Sequence, residues 1–145
     1  MTLSPIAIFA YNRPNHTLAT LQALMNNPEA SDSEITIYCD GAKNTNDQIQ
    51  VEEVRKICRS ATGFKKITVV EHDHNIGLAD NIIGGISKIL EHSPKVICLE
   101  DDLITSPGFL RYMNQALDYY ERKNIFSISG YSPPITIPSD YPYST

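Results

Sequence analysis

The sequence predicts an α/β domain built on a mostly parallel, open sheet with helices on both faces. Two observations carry that expectation. Short, β-prone apolar runs recur along the chain, and all but the last are followed by a stretch with helical spacing. The runs are near-continuous rather than alternating, as in strands covered on both sides. Composition agrees: 145 residues, 41% hydrophobic and 20% charged, suffice for one ordinary core and exclude disorder as the dominant state.

Ile6–Tyr11 reads as the first strand, bounded by Pro5 and by Asn12-Arg13-Pro14. Leu18, Leu21 and Met25 share one face of a helix that Pro14 opens and Asn27-Pro28 closes. Ile35–Cys39 is the second strand, stopped by Asp40-Gly41. A polar loop, Ala42–Asp47, leads to a helix with Val51, Val54 and Cys58 on one face. Ile67–Val70 is the third strand, His72–Gly77 a loop, and Leu78, Ile82, Ile86, Ile89 and Leu90 mark the third helix. Gly84-Gly85 inside it costs about 1 kcal/mol per residue relative to Ala, and close packing on the sheet is the expected reason. Val96–Leu99 is the fourth strand, running into Glu100-Asp101-Asp102. Ser106 and Pro107 cap and open a fourth helix with a Leu110, Met113, Leu117, Tyr120 stripe. Phe126–Ser129 is expected as a fifth strand, and 133–145 as an irregular, proline-rich tail.

A net charge of −5 does not suit a general binder of nucleic acid or anionic membrane. Cys39, Cys58 and Cys98 suggest neither a disulfide framework nor a metal pair, and Cys39 and Cys98 read as buried thiols. The N-terminus lacks the pattern of a signal peptide, and no apolar run approaches a membrane span. A cytoplasmic protein, peripheral at most to the inner face of a membrane, is expected. The chain has no P-loop, no Gly-x-Gly-x-x-Gly after the first strand and no Gly-x-Ser-x-Gly elbow.

Polar residues concentrate where the strands end, which in open α/β sheets is the ligand edge. Three consecutive carboxylates, Glu100-Asp101-Asp102, repel one another unless a cation offsets them. Carboxylate oxygens suit Mg²⁺ or Mn²⁺ bound together with substrate phosphates. For this motif alone, the competing reading is a solvated acidic turn ahead of a helix. Asp40-Gly41 taken alone is a common turn, and His16, His72, His74 and His92 read as surface histidines.

Together these residues resemble the nucleotide-binding part of a GT-A glycosyltransferase, close to the family 2-like sugar transferases. Four segments carry the resemblance: Pro5–Pro14, Ile37–Gly41, Asn75–Asn81 in the form N-x-G-x-x-x-N, and Leu99–Asp102 at the D-x-D position in a Glu-Asp-Asp form. They span residues 5 to about 131 in the family's order. The resemblance implies a Rossmann-like nucleotide-sugar-binding part at 1–132, with the acceptor-facing half beginning in the tail. It implies that Ala10, Tyr11, Asn12 and Arg13 line the nucleobase and ribose pocket and that Asp40 accepts a hydrogen bond from the base. Asn75, Gly77 and Asn81 are expected near the ribose and phosphates. Asp102 is the expected metal ligand, with Glu100 and Asp101 on ribose or metal-bound water.

The implied activity is metal-dependent transfer from a nucleotide-diphosphate sugar, a UDP-sugar first, to a glycan or lipid-linked acceptor. The chain has no Trp and stops where the family's acceptor wall and catalytic base are expected, so it reads as part of a longer enzyme. The resemblance puts the catalytic base in that further part, and self-association through an uncovered edge is expected. A non-catalytic nucleotide- or protein-binding fragment is the competing reading. A receiver-like phosphoacceptor module ranks lower, because the first strand ends in Asn12-Arg13 rather than an acidic pair.

Overall fold

A computed structural model describes residues 3–123 and 125–131. Four parallel strands form its sheet: β1 (Ile6–Ala10), β2 (Glu34–Cys39), β3 (Lys66–Glu71) and β4 (Ile97–Glu100), in the order β3-β2-β1-β4. The helices are α1 (Pro14–Met25), α2 (Gln48–Arg59), α3 (Leu78–Leu90) and α4 (Phe109–Tyr120). Every residue of β1 is buried, because this strand has a partner on each side and cover on each face.

Alternation along the strands makes two cores. Ile6, Ile8, Ile35, Ile37, Ile97 and Leu99 pack with Leu21 and Leu24 of α1, Val54 and Cys58 of α2, and Leu110 and Met113 of α4. On the other face Ala7, Phe9 and Tyr38 meet Ile82, Ile86 and Ile89 of α3. Stepping from β1 to β2 to β3 in one direction with right-handed crossovers puts α1 and α2 on the same face. The chain then crosses back over β2 and β1 to reach β4, so α3 lies on the opposite face. Strand order therefore reverses between β1 and β4.

The loop before α3 is clasped by one carboxylate. Asp40 Oδ1 accepts from the backbone N–H groups of Gly41 (2.8 Å) and Ile76 (2.9 Å). Its Oδ2 accepts from Gly77 N (3.0 Å) and Asn75 Nδ2 (3.0 Å). The same Asn75 amide donates to Gly41 O at 2.9 Å. A Cβ on Gly41 would stand 2.3 Å from the His74 carbonyl carbon, so the two loops meet backbone to backbone. Gly77 enters α3 at φ +84°, a conformation that side chains with a Cβ rarely adopt.

Several expectations are corrected. Phe126–Ser129 forms no strand: the sheet is four-stranded among the described residues, and Phe126 is 103% exposed. No described strand flanks β4 on its outer side, and Cys98 there is exposed rather than buried. Cys98 shares the face of Ala7 but lies one strand further out, at the sheet edge. The buried face of α1 is Thr17, Thr20, Leu21, Ala23 and Leu24, while Leu18 and Met25 are exposed. Threonine hides from a hydropathy pattern, yet Thr17 donates its hydroxyl to Arg13 O at 2.9 Å and buries its methyl group. Leu78 and Leu90 are likewise exposed at the ends of α3. α4 starts at Phe109 after a turn, Phe109 N donating to Ser106 O. The tail expected at 133–145 lies outside the described residues. No helix among the described residues is long and apolar enough to cross a membrane.

Of the two adjacent glycines in α3, only one is there for packing. A Cβ on Gly85 would meet the Phe9 ring at 2.7 Å and the Tyr38 ring at 3.0 Å, and those rings are stacked with centroids 5.3 Å apart. Nothing lies within 4 Å of a Cβ on Gly84. Urea denaturation should show Gly85→Ala destabilised by about 1–3 kcal/mol, and Gly84→Ala stabilised by about 0.5–1 kcal/mol. Asp40→Ala strands three N–H groups and an amide, so about 2–4 kcal/mol should be lost. Hydrogen exchange at the Ile76 and Gly77 amides should accelerate with it.

Candidate functional site at the β1–β4 crevice

The reversal of strand order leaves a crevice beyond the carboxyl ends of β1 and β4. Tyr11, Asn12 and Arg13 leave β1 on one side of it, and Asp101 and Asp102 leave β4 on the other. Tyr11 N donates to Asp101 Oδ2 at 3.1 Å, joining the two loops directly. Arg13 Nη1 donates to Asp102 Oδ2 at 2.9 Å, and Arg13 Nε lies 4.0 Å from Asp101 Oδ1. The guanidinium thus stands against both carboxylates.

The two aspartates differ in environment. Asp101 is 4% exposed, and burial pushes its carboxyl above the usual range, opposed by the Tyr11 N–H and Arg13. Asp102 is open to water, and half of the Arg13 side chain is exposed. An exposed pair of this kind contributes only about 0–1 kcal/mol, so a ligand can open it cheaply. Beside Asp102, a cavity of about 260 Å³ is lined by Asn15, His16, Ala19 and Ile104.

Tyr11 is fixed at both ends. Its hydroxyl donates to Asp47 Oδ2 at 2.7 Å and accepts from Lys43 N at 3.2 Å. Partial burial, reinforced by Asp47, pushes its phenol up. Asn12 Nδ2 donates to Asp47 Oδ1 at 3.4 Å.

The expected site residues thus fall into separate groups. Tyr11, Asn12, Arg13, Asp101 and Asp102 converge on the crevice. Ala10 does not line it: its side chain lies in the core, and its carbonyl accepts from Asp40 N at 2.9 Å. Asp40, Asn75 and Gly77 come together, but in the clasp. Asp40 accepts four hydrogen bonds from the protein itself, which gives it a structural role in the clasp. Asn81 is buried, its oxygen 3.1 Å from His72 Nε2 and its amide donating to Tyr38 O at 3.5 Å. It ties α3 to β2, and His72 is engaged here rather than free at the surface. Glu100 ends β4 exposed, opposite Phe9 in register, and among the described residues no group of three or more His, Cys, Asp or Glu side chains is arranged to hold a metal.

Asp47 and Lys43 are the residues that sequence reasoning missed. Both lie in a polar loop with no motif, and nothing local marks them. A larger cleft, about 930 Å³, runs along β4 between α3 and α4 and includes Cys98, Leu103 and Phe126. It contains none of the convergent polar residues, so its size does not make it the site.

The fold has a solved counterpart. The crystal structure of S. aureus TarS aligns with 81% of this chain at a TM-score of 0.51 and 16% sequence identity. The chain spans 20% of the length of that protein. Residues 6–134 match the model of glycosyl transferase family 2, and the chain belongs to that family.

Proposed function

We propose that this domain binds a nucleotide-diphosphate sugar, a uridine diphosphate sugar in the first instance, for transfer to a glycan or lipid-linked acceptor. One observation carries the reading: Tyr11–Arg13 and Asp101–Asp102 meet where strand order reverses, the position at which open α/β sheets take ligands. Family membership supports glycosyl transfer as the reaction class.

In this reading Tyr11 and Asn12 form the nucleoside side of the site. Arg13 meets phosphate charge, for which a guanidinium is suited by its fork of donors. Asp102 would hold Mn²⁺ or Mg²⁺, with Asp101 on ribose or metal-bound water. Their donor set fits, since such a cation takes one or two carboxylates and completes its shell with water and substrate phosphates. When bound, the cation neutralises charge on the departing diphosphate. Arg13 shields the two carboxylates from each other until then. The clasp at Asp40 keeps the neighbouring loop in place, so the edge is organised before ligand arrives.

A thermal-shift titration with uridine diphosphate, with and without Mn²⁺, tests this. With ligand hundredfold above its Kd, the metal-dependent rise in Tm should be about 8 °C. Asp102→Ala should lose the metal-dependent part and melt normally without ligand. No rise at millimolar nucleotide, or an Asp102→Ala variant that responds like the wild type, would overturn the proposal.

A further inference from the structure

We propose that Asp47 is a positioning residue that sets the Tyr11 ring and the Asn12 amide as one wall of a pocket for the planar base of a nucleotide. The inference rests on the nucleotide-binding reading above. One carboxylate uses both oxygens: Oδ2 accepts from the Tyr11 hydroxyl at 2.7 Å and Oδ1 from Asn12 Nδ2 at 3.4 Å. Lys43 N, donating to the same hydroxyl at 3.2 Å, draws the loop 42–47 against the tyrosine.

The position of Asp47 shows that this use is particular. It is the N-cap residue of α2, where an aspartate ordinarily turns back onto its own helix. Here its side chain makes no capping bond. Asn44 does the local work, accepting from Asn46 N and Asp47 N at 2.9 and 3.3 Å. The Asp47 carboxylate instead reaches residues 36 and 35 positions away. It still lies at the positive end of α2, a favourable place for a carboxylate.

The consequence is preorganisation. A tyrosine has two side-chain torsions, and tethering its hydroxyl removes most of what freedom remains. A ring held in this way offers a face to a base without an ordering cost on binding. Loss of Asp47 frees Tyr11 and Asn12 together, whereas contacts to the phosphates through Arg13 and the acidic turn are untouched.

Isothermal titration of the full chain with Mn²⁺–uridine diphosphate, and separately with Mn²⁺–pyrophosphate, tests the proposal. Asp47→Ala and Tyr11→Phe should each weaken the nucleotide by about tenfold, and the double variant should be no weaker than the worse single one. Pyrophosphate, which lacks a nucleoside, should stay within about twofold of wild type in all of them. Asp47→Asn should recover part of the loss, because its amide oxygen still accepts from the Tyr11 hydroxyl; it and Tyr11→Phe carry the test if Asp47→Ala does not fold. Nucleotide affinity unchanged in Asp47→Ala overturns the positioning role and leaves the nucleotide reading standing. Equal losses for both probes mean a merely structural role and also overturn it. A wild-type chain that binds pyrophosphate but not uridine diphosphate overturns the nucleoside reading, and this role with it.

Discussion

The Asp40 carboxylate is the constraint on which the ligand edge depends. A carboxylate taken out of water is tolerated only when its lone pairs find donors. Asp40 finds four, three of them backbone N–H groups in tight turns. The donors come from the residue that follows it and from Asn75–Gly77, which would otherwise be an unrelated loop. Where α3 begins, and so which of its residues face Phe9 and Tyr38, is set by this clasp. His72 N donating to Cys39 O at 3.0 Å carries the β2–β3 pairing up to it. Gly41 and Gly77 belong to the same device, one for close approach and one for its backbone angle.

Against Asp40, the carboxylates across the edge are incompletely served. Asp101 has one backbone donor and a guanidinium at the limit of ion-pair distance. Asp102 has an exposed arginine alone as its ion-pair partner. The contrast separates an acidic residue whose lone pairs are filled by the fold from acidic residues with fewer protein donors. Saturation, not the presence of an aspartate at a strand end, is the distinguishing property. The crevice also inherits rigidity from its other wall, where Tyr11 is fixed through its backbone by Asp101 and through its hydroxyl by Asp47 and Lys43.

Much of this molecule is legible from residue order. Continuous apolar runs and helical spacings place four strands and four helices, because burial on both sheet faces and one helix face leaves a periodic mark. The clustering of Tyr11–Arg13, Asp40 and Glu100–Asp102 at one edge follows from parallel strands, whose carboxyl ends share a side. The errors have local causes. Threonine carried the buried face of α1 unnoticed, the apolar Phe126–Ser129 run formed no strand, and Cys98 lost its cover at an edge strand.

What residue order could not reveal is which polar groups meet. Asp40 and Asp102 both follow strands and look alike in sequence, yet one is saturated by its own protein and the other is paired only at the surface. Their partners lie 37 and 89 positions away, at Gly77 and Arg13. Asp47, which bears on the proposed nucleoside wall most directly, sits in a loop without a motif and meets Tyr11 only after the crossover has closed. Periodicity records burial against a face, which is local. Hydrogen-bond saturation depends on donors that chain topology delivers from a distance, and that emerges only when the fold is complete.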